Sequence, residues 1–488
     1  MTPRIVPGWP KLAWVAICVS GTDTIYVYHG PCVEASHDWC VEAVWTGPFE
    51  EGDFDRTELV FGTGIRCRGQ HVTFVSSGTI LDRLWYRGQE GTWFISNSLP
   101  ALMAVADLSL LEDHSYYDDW QTVWGAETCL RRFPTQEGEV YVAWFNNLLY
   151  DGNDLREVVK PDTAPHFGTY EDYFAFLVDT AKRLGANLSS PARAHRVTPL
   201  ASVSSGYDSP AVAAIARHAG CHQAATITDA ASLWRGSDSG KAIAERLGLS
   251  CQCYKRVLGE YPHEETVWAA AGRSGLLNWT EFDYPEPLCL FFTACYGDTL
   301  WERGKMDLSK PLVFSIMIDL GFGEFRLAKG VFNCVAPFWG MRRAHEIWRI
   351  SLSEEMASWT LGTDYDRPIP RRILEEAGIP RGTFAVRKKN TSHMDVFQWP
   401  YSRGAAESFA AYLIRQGVHV PSPALVRLLR HVTRLDQLVS QNLLAKVRLD
   451  FRLRYKMRFK ANSLLFQWAN SELKAMYQEG LKPLRNAV

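Results

Sequence analysis

The segment LASVSSGYDSPAVAAIARHAG, from Leu200 to Gly220, contains the pattern on which the predicted fold depends. An apolar run ends at Ser204, and an alanine-rich run of helical character follows Ser209. Such a polar turn presents N–H and hydroxyl donors at the start of the next helix, where the partial positive charge of the helix end favours an anion. We therefore expect a strand, an anion-binding turn and a helix.

The elements around this turn alternate between helix and strand. The predicted elements are a helix at 169–188, a strand at 197–204, a helix at 210–218, a strand at 224–228, a helix at 239–248 and a strand at 251–257. Such alternation predicts a parallel sheet with helices on both faces. The chain beyond Asp364 is predicted to be helical.

Residues 1 to about 160 are rich in short β-like runs that turn residues separate. The predicted strands are WVAICVS, TIYVYHG, CVEAVWTG, ELVFGTG, HVTFVSS, TWFISNS and EVYVAWF. We expect the first strand to begin near Leu12 and one helix to lie at about 99–111. Pro, Asp and Thr at 160–167 indicate a linker, so we predict two domains, 1–162 and 163–488.

The composition is that of an ordinary globular protein. The chain has 488 residues, of which 47% are hydrophobic and 22% are charged, with a formal net charge of −2. This charge favours neither nucleic acid nor a membrane surface, and no apolar run approaches the roughly 18–20 residues that span a bilayer. The eleven cysteines have no zinc or disulfide spacing. We expect a cytoplasmic protein with reduced thiols and neither a nucleic-acid nor a membrane partner.

The segment KVRLDFRLRYKMRFK, Lys446–Lys460, alternates charged and apolar residues. A period of two predicts a strand with one basic face, although both flanking segments have helical patterns. A basic face of this kind can be exposed to solvent, pair with acidic residues of the chain or bind an acidic partner, and its role stays open.

The turn after Val203 resembles the Ser-Gly-Gly-x-Asp-Ser pyrophosphate loop of the asparagine synthetase-like ATP pyrophosphatases, with Ser205 in place of the first glycine. The resemblance implies an ATP site made by Ser204, Ser205, Gly206, Tyr207, Asp208 and Ser209, with Asp208 also on Mg²⁺. It further implies that Thr226 and Thr228, on the next strand, lie near adenine and ribose. A polar cap that opens an ordinary helix is the alternative explanation of the pattern.

The segment FFTACYGDTLWE, Phe291–Glu302, is similar to the second loop of that family, Ser-Gly-Glu-Gly-Ala-Asp-Glu. Thr293 stands at the serine position and Asp298 at the metal-binding aspartate. The resemblance implies that Gly297 borders ATP and that Asp298 and Asp208 share Mg²⁺. Cys295 replaces the loop glutamate of asparagine synthetases, where β-lactam synthetases have tyrosine, so we expect a product other than asparagine.

Two further segments extend the resemblance. FAVRKKNTSH offers Lys388 and Lys389 at the place of the family's catalytic lysine, and we favour Lys389 as the group that stabilises charge in the transition state. GFGEFRLAKG carries Glu324, where β-lactam-forming relatives have a glutamate that helps to deprotonate the attacking amine. Each of these charged residues is also compatible with a solvated surface position.

The N-terminal part resembles a glutaminase domain only weakly. Glutamine-dependent synthetases have a nucleophilic cysteine after Met1, whereas this chain has Thr2 and Pro3. GTWFISNSLPALMAV is similar to a strand–helix turn of those enzymes. The resemblance implies an α/β fold: a degenerate, β-rich, layered Ntn-hydrolase-like domain, then a doubly wound ATP pyrophosphatase domain with a helical C-terminal part.

Family members without a glutaminase, such as β-lactam synthetases and lasso-peptide cyclases, use an amine of the substrate in place of ammonia. We expect an ATP- and Mg²⁺-dependent, AMP-forming amide ligase or cyclase of specialised metabolism. Its substrate is expected to be a small molecule or peptide with a carboxylate and an amine, and a homo-oligomer is compatible with the sequence. Two alternatives stay open: an inactive nucleotide-binding or structural descendant, and an enzyme that modifies tRNA or transfers sulfur through the same loop.

Overall fold

The computed structural model describes residues 1–22, 24–116, 119, 130–229, 237–255, 259–270, 276–303, 322–363, 365–385, 397–439 and 460–485. These residues form a mixed α/β structure with three sheets. Within the described ranges, no helix has both the length and the apolar character needed to cross a membrane.

Eighteen strands lie in the described part of the chain. They are β1 (Thr2–Ile5), β2 (Trp14–Val19), β3 (Ile25–His29), β4 (Glu34–Ala35), β5 (Trp39–Trp45), β6 (Val60–Arg68), β7 (His71–Val75), β8 (Arg83–Gln89), β9 (Thr92–Ser96), β10 (Arg132–Thr135), β11 (Gly138–Trp144), β12 (Asn147–Tyr150), β13 (Leu155–Val158), β14 (Val197–Ser202), β15 (Gln223–Ile227), β16 (Ser250–Tyr254), β17 (Leu288–Thr293) and β18 (Val331–Val335).

The α-helices of the described residues follow the same numbering along the chain. They are α1 (Leu99–Val105), α2 (Tyr170–Leu188), α3 (Asp208–Ala216), α4 (Lys241–Arg246), α5 (Glu265–Trp268), α6 (Leu277–Thr280), α7 (Gly297–Leu300), α8 (Gly323–Lys329), α9 (Ala344–Leu352), α10 (Pro368–Glu376), α11 (Arg403–Arg415), α12 (Pro423–Val439) and α13 (Lys460–Arg485).

The N-terminal strands form two sheets. The first has the order β1-β3-β2-β9-β8-β11-β10 and the second the order β13-β12-β7-β6-β5-β4. Apolar side chains from both sheets form one buried cluster, in which the rings of Trp14 and Phe74 stack with centroids 6.4 Å apart. All seven predicted strands are therefore confirmed, because their alternation marks a face that the opposite sheet buries.

The expectation that the first strand begins near Leu12 is wrong. Thr2–Ile5 forms β1, which pairs in parallel with β3 at the edge of the first sheet. All four residues of β1 are exposed, so the strand depends on backbone pairing. It therefore carries no apolar alternation that a sequence could display.

The strands from β14 onward form a parallel sheet with the order β16-β15-β14-β17-β18. The predicted strand–helix alternation is confirmed. All six residues of β17 are buried, as expected for a parallel strand with both faces covered. The chain winds from β14 through β15 to β16 on one side and then returns to β17 and β18 on the other. The winding direction therefore reverses between β14 and β17, where open α/β sheets bind their ligands.

The last helix connects the C-terminal part of the chain to the N-terminal sheets. Trp9 Nε1 donates a hydrogen bond to the Tyr477 carbonyl at 3.0 Å, and Ser98 Oγ lies 3.2 Å from Tyr477 OH. Gln467 Nε2 donates to the Leu111 carbonyl at 2.6 Å. These contacts attach α13 to the segment between β1 and β2 and to the segments that precede and follow α1.

Candidate functional site

The turn between β14 and α3 closes on its own hydroxyl groups. Ser204 Oγ lies 2.8 Å from Ser209 Oγ, and the Ser204 N–H donates to the same Ser209 oxygen at 2.9 Å. The Gly206 N–H donates to Ser204 Oγ at 3.2 Å. The first N–H groups of a helix have no acceptor within it, so those of Asp208 and Ser209 can serve an anion at this end of the sheet.

A second segment supports the turn from the β15 side. Ser205 Oγ donates to Asp238 Oδ1 at 2.6 Å, and the Ser205 N–H donates to the Asp238 carbonyl at 3.0 Å. A Cβ on Gly240 would lie 2.3 Å from Val203 Cγ1, so only glycine allows this approach. We did not identify this support from the sequence. Its signal is the Ser-Asp-Ser-Gly run after β15, at the strand end that adjoins the site.

The loop after β17 packs directly against the turn after β14. Tyr296 adopts a left-handed backbone conformation with φ of 67°, which is strained for a residue with a bulky side chain. A Cβ on the next residue, Gly297, would lie only 2.5 Å from Asp208 Cγ. The structure thus brings Asp208 close to the loop that carries Asp298.

An arginine that we did not identify from the sequence lies beside Asp208. Arg367 Nη1 forms an ion pair with Asp208 Oδ2, and its Nη2 donates to Glu302 Oε2 at 3.0 Å. The carboxylates of Asp208 and Glu302 therefore share one guanidinium, and the charge of Asp298 lies near enough to influence it. Arg367 lies 159 residues from Asp208 along the chain, and no local motif marks it.

Burial dominates the electrostatics of Asp208. It raises the pKa of the Asp208 carboxyl, the ion pair with Arg367 opposes that rise, and the charges of Asp298 and Glu302 add to it. The second oxygen, Asp208 Oδ1, is buried and accepts no hydrogen bond from a described residue. A cation that approaches this oxygen would therefore gain a ligand that the described residues leave unsatisfied.

Tyr207 differs from its expected role at ATP. Its side chain is fully buried, and its hydroxyl accepts a hydrogen bond from Arg371. The Tyr207 ring packs against Tyr365 with a centroid distance of 4.8 Å. The side chain thus anchors the turn to the segment around α10, and only the backbone of Tyr207 remains for a ligand.

The two threonines of the β15 region hold neighbouring backbone. Thr226 Oγ1 accepts a hydrogen bond from the Gly240 N–H at 3.0 Å, and Thr228 Oγ1 donates to the Tyr254 carbonyl at 3.1 Å. Cys295 is half-buried in the second loop. Lys388 and Lys389 lie outside the described residues, as does the alternating segment from Lys446 to Phe459, so their predicted roles stay predictions.

Glu324 belongs to a different polar cluster from the one around Asp208. Its Oε2 accepts hydrogen bonds from Ser98 Oγ at 2.9 Å and Tyr477 OH at 3.1 Å. Burial raises the pKa of Glu324 to about 7, although both hydrogen bonds oppose the rise. These contacts do not join Glu324 to the turn after β14, and its predicted role as a base stays a prediction.

The raised pKa of Glu324 predicts a pH-dependent stability. The folded chain keeps a proton that the unfolded chain loses near pH 4.5. This contribution to stability is present below about pH 4.5 and is lost as the pH rises to about 7, a change of about 3 kcal/mol. We expect Glu324→Gln to reduce the loss of unfolding free energy between pH 5 and pH 8 by about 2 kcal/mol in urea titrations.

The control for this prediction is Glu51→Gln, because Glu51 is exposed to solvent. That variant should keep the pH dependence of the wild type. If Glu324→Gln also kept it, the buried carboxyl would not be the group that titrates.

The described residues around Asp208 offer Mg²⁺ few protein ligands. Among the described residues, no group of three or more His, Cys, Asp or Glu side chains is placed to hold a metal ion. Mg²⁺ in nucleotide sites, however, takes only one or two carboxylates and completes its shell with water and phosphate oxygens. The unsatisfied Asp208 Oδ1 and the excess of carboxylates around it fit that arrangement.

Comparisons with known proteins add no relative. No protein-family model matches the chain, and no curated protein is significantly similar to it. The function must therefore be inferred from the site itself.

Proposed function

We propose that the chain is an ATP-dependent, AMP-forming ligase or cyclase that joins a carboxylate and an amine of its substrate. One observation carries this proposal: two polar loops, each with an aspartate, meet where the winding of the parallel sheet reverses. Such a crevice at the carboxyl ends of the strands is the usual ligand site of this architecture. The asparagine synthetase-like pattern supplies the identity of the ligand as ATP.

The side chains of the site have separate tasks in this proposal. The hydroxyls of Ser204 and Ser209 turn from each other toward phosphate oxygens, together with the N–H groups at the start of α3. Asp208 and Asp298 would hold Mg²⁺. When bound, Mg²⁺ neutralises charge on the phosphates and so makes pyrophosphate a better leaving group. Lys389 is proposed to stabilise the charge that develops as the amine attacks.

The reaction proceeds in two displacements. A substrate carboxylate oxygen attacks the α-phosphorus of ATP, the bond to the β-phosphate bridge breaks, and an acyl-adenylate and pyrophosphate form. The amine then attacks the activated carbonyl carbon, loses one proton to a base, and expels AMP. The site contributes chiefly by holding the reacting groups in position and out of water.

The N-terminal region supports an amine that comes from the substrate. Thr2 is exposed on the edge strand β1, which makes its hydroxyl a poor candidate for an ammonia-releasing nucleophile. We propose the domains 1–162, a degenerate glutaminase-like unit, and 163–488, the synthetase unit. The grouping of β1–β13 in two sheets and of β14–β18 in a third agrees with that division.

The proposal predicts that Asp208→Asn abolishes adenylation. Purified protein is mixed with ATP, Mg²⁺ and pooled cell extract as the source of substrate, and AMP and pyrophosphate are measured. We expect AMP formation to fall by about 100-fold or more, since a metal ligand and charge partner is lost while the shape of the side chain is kept.

The matched control is Asp151→Asn in the β12–β13 turn, where Asp151 accepts hydrogen bonds from the Asn153 and Asp154 N–H groups. This variant should form AMP at the wild-type rate. A wild-type protein that binds ATP but forms no AMP with any extract would instead support an inactive nucleotide-binding descendant. The ion pair of Asp208 with Arg367 is the observation that favours this second candidate.

A further inference from the structure

Arg367 is a buried cation in the middle of the proposed nucleotide site. It immediately precedes α10 and is only 2% exposed. Its two terminal nitrogens contact Asp208 and Glu302, and its guanidinium lies 5.1 Å from the centre of the Tyr365 ring. The third nitrogen, Nε, is buried and has no hydrogen-bond partner among the described residues. The site thus contains a donor that its own contacts leave unsatisfied.

The charges of the described side chains in this cluster do not balance. Among them, Asp208, Asp298 and Glu302 carry three formal negative charges when ionised and Arg367 carries one positive charge, an excess of two negative charges. A divalent cation would offset this excess but would compete with Arg367 for Asp208. The guanidinium group also matches the oxygens of a phosphate in geometry. These oxygens attract both the arginine and the metal ion.

The helix that follows limits how far Arg367 can move. Arg371, one turn later on α10, donates to the hydroxyl of Tyr207. Two arginines at one end of α10 therefore contact two successive residues of the turn, Tyr207 and Asp208. The backbone stays attached to the turn through Arg371, while the side chain of Arg367 can turn from one acceptor to another.

We propose that Arg367 is a pyrophosphate-binding residue that pairs with Asp208 before the nucleotide binds and passes to the phosphate oxygens when Mg²⁺ takes Asp208. Glu302 holds the guanidinium at the site in both states. This inference rests on the proposed function, because it requires a phosphate ligand beside Asp208. It adds Arg367 to the proposed site, together with a change in the ion-pair partner of Arg367 when the ligand binds. Neither follows from the sequence pattern of the two loops.

The test uses two probes, Mn²⁺ alone and pyrophosphate with Mg²⁺, with binding to the full chain measured by calorimetry. In Arg367→Met, pyrophosphate affinity should fall about tenfold or more, because a charge-assisted fork is lost. Mn²⁺ affinity should rise about threefold or more, because Asp208 loses its competing cation. These opposite directions distinguish an exchange of partners from general damage to the site.

The matched control is Arg372→Met. Arg372 is the neighbour of Arg371 on α10, but its ion pairs are with Glu171, Glu355 and Glu376, away from the turn. Both affinities should stay at their wild-type values in this variant. If Arg367→Met does not fold, Arg367→Lys keeps the charge, and pyrophosphate affinity should fall about threefold with Mn²⁺ affinity unchanged.

Each other outcome has a separate meaning. If Arg367→Met weakened both probes, or changed neither, the exchange would be wrong, although the nucleotide site would stand. The same holds if Arg367→Lys bound pyrophosphate as tightly as the wild type. A wild-type chain that binds neither probe would contradict the proposed function itself.

Discussion

The variant Arg326→Met is expected to lower the free energy of unfolding by about 3–5 kcal/mol. Arg326 of α8 is 2% exposed. Its guanidinium bonds both oxygens of Glu42, at 2.8 and 3.0 Å, and lies 2.6 Å from Asp82 Oδ1. Removal of the guanidinium leaves two buried carboxylates without their cation, and burial already raises the pKa of Asp82.

Urea unfolding of the variant and the wild type measures this effect. The control is Arg403→Met, because Arg403 is exposed and its side chain forms an ion pair with Glu407, one turn along α11, so its loss should leave the free energy of unfolding nearly unchanged. The further changes Glu42→Gln and Asp82→Asn should restore part of the stability of Arg326→Met, since they remove the unpaired charges. A cost below about 1 kcal/mol for Arg326→Met would mean that the buried cluster is not what holds α8 to the N-terminal sheets.

The second large effect is expected for Gly297→Ala, which should lower ATP and pyrophosphate affinity by about 100-fold. The added Cβ would lie 2.5 Å from Asp208 Cγ and 2.8 Å from its Oδ2, within the distance at which atoms overlap. Because Asp208 lies at the start of α3, it can yield only by disturbing the turn or its ion pair with Arg367. The variant therefore changes the relative position of the two loops without removing any polar group.

Calorimetry with ATP in the presence of Mg²⁺ provides the measurement, and circular dichroism monitors folding. Gly404→Ala is the matched control, because Gly404 also lies in the first turn of a helix, α11, and an added Cβ there meets no atom within 4 Å. That variant should bind ATP as the wild type does. Wild-type affinity in Gly297→Ala would show that the loop after β17 does not border the ligand.

The parallel sheet could be predicted because strands and helices alternate along the chain from β14 to β16. The pairing of the turns after β14 and β17 could be expected from the resemblance of their loops to the two loops of the asparagine synthetase-like family, and not from the apolar pattern of the strands. The edge strand β1 could not be predicted, because it is exposed and owes its pairing to backbone groups alone. Glu324 could be singled out from the sequence, but its partners Ser98 and Tyr477 lie 226 and 153 residues away.

In the candidate site, too, the local residues could be predicted from the sequence but their distant partners could not. The side chains that each loop supplies are readable from local sequence, because the loop chemistry is confined to a few residues. The partners of those side chains come from distant segments: Asp238 holds Ser205, and Arg367 contacts Asp208. Which charged residue contacts a loop residue depends on packing and charge balance in three dimensions. The spacing of residues along the chain does not indicate it.

The position of α13 has a consequence for how the chain is made. This helix completes the packing around Trp9, Ser98 and Leu111, which precede it in the chain and leave the ribosome before it does. Leu111 and Gln467 are 356 residues apart, so translation at about 5–20 residues per second separates them by roughly 20–70 s. Throughout that interval the nascent N-terminal sheets lack their partner helix. The N-terminal sheets are therefore synthesised well before the helix that completes their packing.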